Sequence, residues 1–124
     1  MKHTILVVED DPRNRKLLVD LLTVKGYAVI VAHNGSEGVE QACQHLPELI
    51  LMDIQMPLMD GYEATRKLKG DARTRDIPVW ALTSYAMAGD AARILAAGCD
   101  FCITKPFDVP GLLRRIEACL RSTR

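Results

Sequence analysis

The sequence predicts an α/β domain in which a five-stranded parallel sheet is covered by helices on both faces. Three observations predict it. Five short apolar runs recur along the 124 residues, and four of them are rich in Val, Ile and Leu without clean alternation, the pattern of strands buried on both faces. Segments of helical length and period separate the runs. The links between them are short, as crossover units of a parallel sheet require.

The elements follow in order. "TILVV" (Thr4 to Val8) is the first strand. Asp11-Pro12 then supplies an N-cap and a favoured first helical residue, Leu17, Leu18, Leu21 and Leu22 form one apolar stripe, and Gly26 ends the first helix. "AVIVA" (Ala28 to Ala32) is the second strand and Ser36 to His45 the second helix. After the connector "LPE", "LILM" (Leu49 to Met52) is the third strand, followed by a helix from about Tyr62 to Leu68. The solvated connector "GDARTRD" leads to "PVWAL" (Pro78 to Leu82), whose Trp80 is read as a packing residue, and to a helix over Ala88 to Ala97 before Gly98. "FCIT" (Phe101 to Thr104) is the fifth strand, and Pro110 to Leu120 is the fifth helix, with Leu112, Leu113, Ile116 and Leu120 on one face. No linker, repeat or low-complexity tract interrupts this series, so one domain over residues 1–124 is expected.

Composition narrows the function classes. Hydrophobic residues make up 48% and charged residues 26%, the balance of an ordinary globular protein rather than a disordered one. The start, "MKHTILVVEDD", is too short and wrongly flanked for a signal peptide, and no apolar run is long enough for a bilayer, so a cytoplasmic location without membrane insertion is expected. Lys plus Arg and Asp plus Glu both total 16, which gives no global field toward nucleic acid. Residues 1–62 carry five basic against nine acidic side chains, net −4, and the remainder is net +4. Cys43, Cys99, Cys102 and Cys119 lack the density of a disulfide scaffold. Cys99 and Cys102 form a CxxC, but it leads into a strand rather than opening a helix and has no second pair to complete a zinc site, so these read as ordinary buried thiols.

The polar residues fall at the carboxyl ends of the strands, the edge where open parallel sheets bind ligands. Glu9, Asp10 and Asp11 follow the first strand, Asp53 closes the third, Thr83 and Ser84 the fourth, and Lys105 the fifth. Asp11 is accounted for as a cap. Three carboxylates gathered within a few ångströms repel one another unless a cation neutralises them, and a hard divalent ion that keeps water, Mg²⁺ or alternatively Mn²⁺, suits so few direct ligands. One carboxylate in such a set can act as a nucleophile and form an acyl phosphate, with Lys105 and the Thr83 hydroxyl on the phosphoryl oxygens. The histidines His3, His33 and His45 lie away from these strand ends.

The pieces "ILVVEDD", "LILMDIQMPLMDG", "ALTSYAM" and "TKPF", in this order and spacing, resemble a response regulator receiver domain along essentially the whole chain. The resemblance implies a doubly wound, flavodoxin-like or CheY-like (βα)₅ fold with strand order 2-1-3-4-5. It implies that Asp53 is the phosphoacceptor, that Glu9, Asp10 and Asp53 with the backbone carbonyl of Gln55 hold Mg²⁺, Glu9 through water, and that Thr83 and Lys105 contact the phosphoryl group. It also implies a cis peptide between Lys105 and Pro106. Phosphorylation would then shift the face formed by the fourth helix, fifth strand and fifth helix, toward a protein target. Many receivers use an aromatic three residues before the lysine for this. Here that position is Cys102, Phe101 should point to the other side of the strand, and Tyr85 is the candidate substitute in the switch that begins at Thr83.

The expected partners are a histidine kinase, a histidine phosphotransfer protein, or both, for a chain that is a monomer or weak dimer with no nucleic-acid output of its own. "ALTSYAMAGD" resembles receivers of multistep phosphorelays, including hybrid kinases, and stand-alone regulators of the DivK type. A phosphohydrolase using an aspartyl phosphate is a competing class; it commonly has an acid/base aspartate two residues after the nucleophile, where this chain has Gln55. A phosphorylation-independent binding module would lose part of the acidic set or Lys105. The expectation is therefore a switch and not an enzyme, beyond its own phosphorylation and slow dephosphorylation.

Overall fold

In the computed structural model of the chain, residues 2–54, 60–83, 88–105 and 108–121 are described, the side chains of 88–91 excepted. The elements alternate strictly: β1 (Thr4–Val8), α1 (Pro12–Val24), β2 (Ala28–Ala32), α2 (Gly35–His45), β3 (Leu49–Asp53), α3 (Gly61–Lys69), β4 (Val79–Thr83), α4 (Ala88–Ala97), β5 (Phe101–Thr104) and α5 (Val109–Arg121). The described strands form one parallel sheet in the order β2-β1-β3-β4-β5.

Strand order explains which runs are fully buried. β3 and β4 are buried at every position and β1 at all but its first, whereas β2 and β5 are mostly half-buried because each has a neighbour on one side only. Side-chain alternation sends Leu6, Val8, Ile50, Met52, Val79 and Ala81 to a core shared with α2, α3 and α4. Ile5, Val7, Leu49, Leu51, Trp80 and Leu82 face α1 and α5. Each fully buried Leu or Ile stabilises the fold by about 1.5–3 kcal/mol. The central strands are therefore firm enough to carry charge at their ends.

The helix ends follow local chemistry. Asp11 caps α1 by accepting from the Arg13 N–H at 2.9 Å, and Gly26 beyond it takes φ +91°. Asn34 and Asp60 cap α2 and α3, accepting from the N–H groups of Glu37 and Glu63, so these helices begin one residue earlier than the sequence period indicates. Pro78 stands outside β4; lacking an N–H, it contributes only its carbonyl, which accepts from the Ile50 N–H at 3.0 Å.

The expected leucine stripe of α1 needs correction. Leu18 and Leu22 are buried, one turn apart, but Leu17 is 43% exposed. The contact with the sheet is narrower than four leucines suggest. Trp80 packs as expected, edge-on to Phe101 with ring centroids 5.5 Å apart. Phe101 does lie on the face opposite Cys102, which sits half-buried against the α2/α3/α4 core. None of the four cysteines is in a disulfide, and burial pushes the Cys99 and Cys102 pKa values up. Among the described residues no helix is long and apolar enough to cross a membrane.

Candidate functional site

Register assembles the site. Val8 stands opposite Met52, so Glu9 and Asp53 occupy the next rung; Thr83 stands opposite Thr104, so Lys105 begins one rung beyond. Backbone bonds hold these positions after the strands end: Glu9 N–H to Ala32 O at 3.1 Å, Ile54 N–H to Leu82 O at 3.1 Å, and Lys105 N–H to Thr83 O at 2.7 Å. Parity places Glu9, Asp53 and Lys105 on the α1/α5 side, while Thr83 follows Val79 and Ala81 on the side of α3 and α4.

Three acidic side chains and Lys105 come together at this edge. One carboxylate oxygen from each of Glu9, Asp10 and Asp53 lies within 4.8 Å of the others. Glu9 and Thr83 are fully buried, Asp53 nearly so, and Asp10 is half-buried. Burying a carboxylate costs several kcal/mol unless it is paired. Glu9 meets this with Lys105 Nζ at 3.1 Å on Oε2 and the Asp11 N–H at 3.3 Å on Oε1. The same ammonium is 3.7 Å from Asp53 Oδ2, an ion-pair distance rather than a hydrogen bond. Lys105 thus leans toward the more deeply buried acid.

Three carboxylates against one ammonium leave two negative charges in excess when all are ionised. Asp10 shows the strain of this. Burial first, then a hydrogen bond to Asp53 and that residue's charge, raise its pKa above 3.8, against a smaller opposing pull from Lys105. An all-oxygen donor set with surplus negative charge fits a hard divalent cation.

The raised pKa has a stability consequence. Just above 3.8 the folded state holds more protons than the unfolded one, so the contribution of this group is present at lower pH and lost as pH rises through the raised value. At neutral pH the metal-free protein carries that penalty. Asp10→Asn removes it, and should melt higher than the wild type in EDTA at neutral pH, by about 4 °C for each kcal/mol relieved in a domain of this size. A lower melting temperature in thermal unfolding would contradict the account of the cluster.

Gln55, Tyr85 and Pro106 lie outside the described residues, as do Ser84 and Pro57. Two residues emerge that sequence reasoning missed. Arg15 Nη1 donates to the Glu9 carbonyl at 3.0 Å and to that of Asp10 at 3.4 Å. Its only signal in the sequence is a position in the first turn of the helix that follows the acidic run. Gly61 opens α3 against β3, where an added Cβ would meet Asp53 O at 2.5 Å. The Asp60-Gly61 pair reads from sequence as loop chemistry, which hides that close approach.

Comparison with known proteins finds relatives by sequence and by fold. A family model described as response regulator receiver domain matches residues 5–117. The polar-differentiation response regulator DivK of Brucella anthropi is 44% identical over 120 residues, covering 97% of this chain and 98% of that protein. Among solved structures, the signal receiver domain of a signal transduction histidine kinase from Syntrophus aciditrophicus superposes with TM-score 0.91 at 37% identity, covering 98% of this chain and 92% of that one. The receiver domain of sensor histidine kinase PA1611 from Pseudomonas aeruginosa PAO1 does so with TM-score 0.91 at 34% identity, covering 98% and 100%, and holds a magnesium ion in its active-site cleft.

Proposed function

The chain belongs to the response regulator receiver family of two-component signalling, and on that premise we propose that it is a switch thrown when Asp53 accepts a phosphoryl group from a phosphohistidine. The donor would be a histidine kinase or a histidine phosphotransfer protein. The observation that carries this reading is the convergence of Glu9, Asp10 and Asp53 at one strand edge with Lys105 Nζ 3.7 Å from Asp53 Oδ2.

The chemistry follows from the residues. An Asp53 carboxylate oxygen attacks phosphorus and forms an acyl phosphate as the P–N bond breaks; the imidazole nitrogen keeps the electron pair and leaves with a proton. Lys105 turns from Glu9 toward the new phosphoryl oxygens, and the Thr83 hydroxyl donates to another. Glu9, Asp10 and Asp53, with the Gln55 carbonyl, would hold Mg²⁺. When bound it neutralises charge on the phosphoryl oxygens. Glu9 and Asp10 keep the site acidic enough to retain that cation after Asp53 is modified.

The phosphorylated aspartate draws Thr83 and the segment after it, biasing the face of α4, β5 and α5 toward a protein target or a further phosphoryl acceptor. Cys102 is too small to serve as the usual aromatic of that face, which leaves Tyr85 as the candidate. The chain turns over no separate substrate: the Gln55 amide does not titrate and cannot serve as the acid/base of a hydrolytic cycle.

The test is incubation with acetyl phosphate and Mg²⁺, followed by intact mass and peptide mapping. One phosphoryl group on Asp53, absent with EDTA, is expected. Because Asp10 holds its proton more tightly than a free carboxylate, the cation competes with that proton, so Mg²⁺ affinity should fall as the pH is lowered from neutral toward the raised value. Calorimetric affinities that stay level across that range would contradict the site, as would labelling that survives EDTA.

A further inference from the structure

Glu9 and Asp10 leave the chain from consecutive backbone units of the β1–α1 loop, so their directions depend on how that loop is pinned. Arg15 pins it. The Arg15 N–H is bonded within α1 to Asp11 O at 2.9 Å, and its Nη1 returns across the loop to two carbonyls, Glu9 O at 3.0 Å and Asp10 O at 3.4 Å. That nitrogen carries two hydrogens in the rigid guanidinium plane, enough to serve both carbonyls. Each carbonyl belongs to a planar peptide unit, so fixing both fixes the peptide planes that flank Asp10. The Asp11 N–H of the second plane is the group that reaches Glu9 Oε1 at 3.3 Å.

We propose that Arg15 is a positioning residue of the acidic site, holding the Glu9 and Asp10 carboxylates in the arrangement that binds a divalent cation. This deepens the reading of Glu9, Asp10 and Asp53 as the Mg²⁺ site and rests on it. The proposal opposes a simpler electrostatic effect. A guanidinium near the site repels a divalent cation, so if charge alone mattered, removing Arg15 would tighten Mg²⁺ binding. Positioning predicts the reverse.

The deciding measurement is calorimetric Mg²⁺ titration of the wild type, Arg15→Gln and Arg15→Lys, together with amide chemical shifts of the metal-free proteins. Arg15→Gln should weaken Mg²⁺ binding on the order of tenfold, as loss of a group that orients metal ligands does. Arg15→Lys keeps the charge on a chain one bond shorter and should fall between. The metal-free amide shifts of Asp10 and Asp11 should move in Arg15→Gln, with the urea midpoint reporting any general loss of stability. Unchanged or tighter Mg²⁺ binding in Arg15→Gln overturns the proposal. If the wild type bound no Mg²⁺, the site reading would fall by itself, and unmoved Asp10 and Asp11 amides in Arg15→Gln would then dispose of the positioning role as well.

Discussion

Asp53→Asn should take up no phosphoryl group from acetyl phosphate under conditions that label the wild type. An amide nitrogen is not nucleophilic, and its oxygen cannot form a stable acyl phosphate, so the substitution removes the reacting atom while keeping the size of the side chain. The structure gives reason to expect a folded variant. Lys105 is not stranded by the change, because its closer partner is Glu9 at 3.1 Å. One negative charge leaves a cluster that has two in excess. Loss of labelling with an unchanged or higher melting temperature therefore separates chemistry from folding. Labelling that persists in Asp53→Asn, mapped to another residue, would remove Asp53 from its role.

Gly61→Ala should produce the largest loss of stability of any single methyl addition near the site, about 3 kcal/mol. The added Cβ would lie 2.5 Å from Asp53 O and 2.7 Å from Ile54 Cα. These are backbone atoms at the end of a strand paired on both sides, by β1 and by β4, so they cannot rotate away as a side chain could. The Gly61 N–H also donates to Ile54 O at 3.2 Å, which ties α3 to that same strand end. Relief of the clash must displace α3 or the backbone of Asp53, and the second would slow phosphorylation along with weakening the fold. Urea unfolding and the labelling rate measure the two effects. A variant within about 0.5 kcal/mol of wild type would show that the approach relaxes without cost.

Much of this was legible in the residues themselves. Asp11-Pro12 and Gly26 bracket α1 through interactions that span a few residues, and the apolar runs name the strands because a buried strand must be apolar wherever it ends up. The acidic, hydroxyl and ammonium residues were visible as a set because a parallel sheet brings the carboxyl ends of its strands to one edge, whatever their separation in sequence. Their order and spacing also carried the family resemblance. Such features depend on local chemistry or on a rule of the architecture.

What the residues could not show depends on distances across the fold. Leu17 and Leu18 are adjacent leucines, yet one is 43% exposed and the other fully buried, since the width of the α1 contact is set by the sheet beneath it. Lys105 lies closer to Glu9, 96 positions away, than to Asp53, at 3.1 Å against 3.7 Å. Gly61 looks like a turn residue until α3 is laid against β3, and Arg15 like a surface cation until its guanidinium crosses back to the loop. By itself, then, the sequence determined the strands, the helices and the set of acidic, hydroxyl and ammonium residues at the sheet edge. The tertiary structure alone decided which of them touch, because register and close packing join residues whose local sequences carry no information about each other.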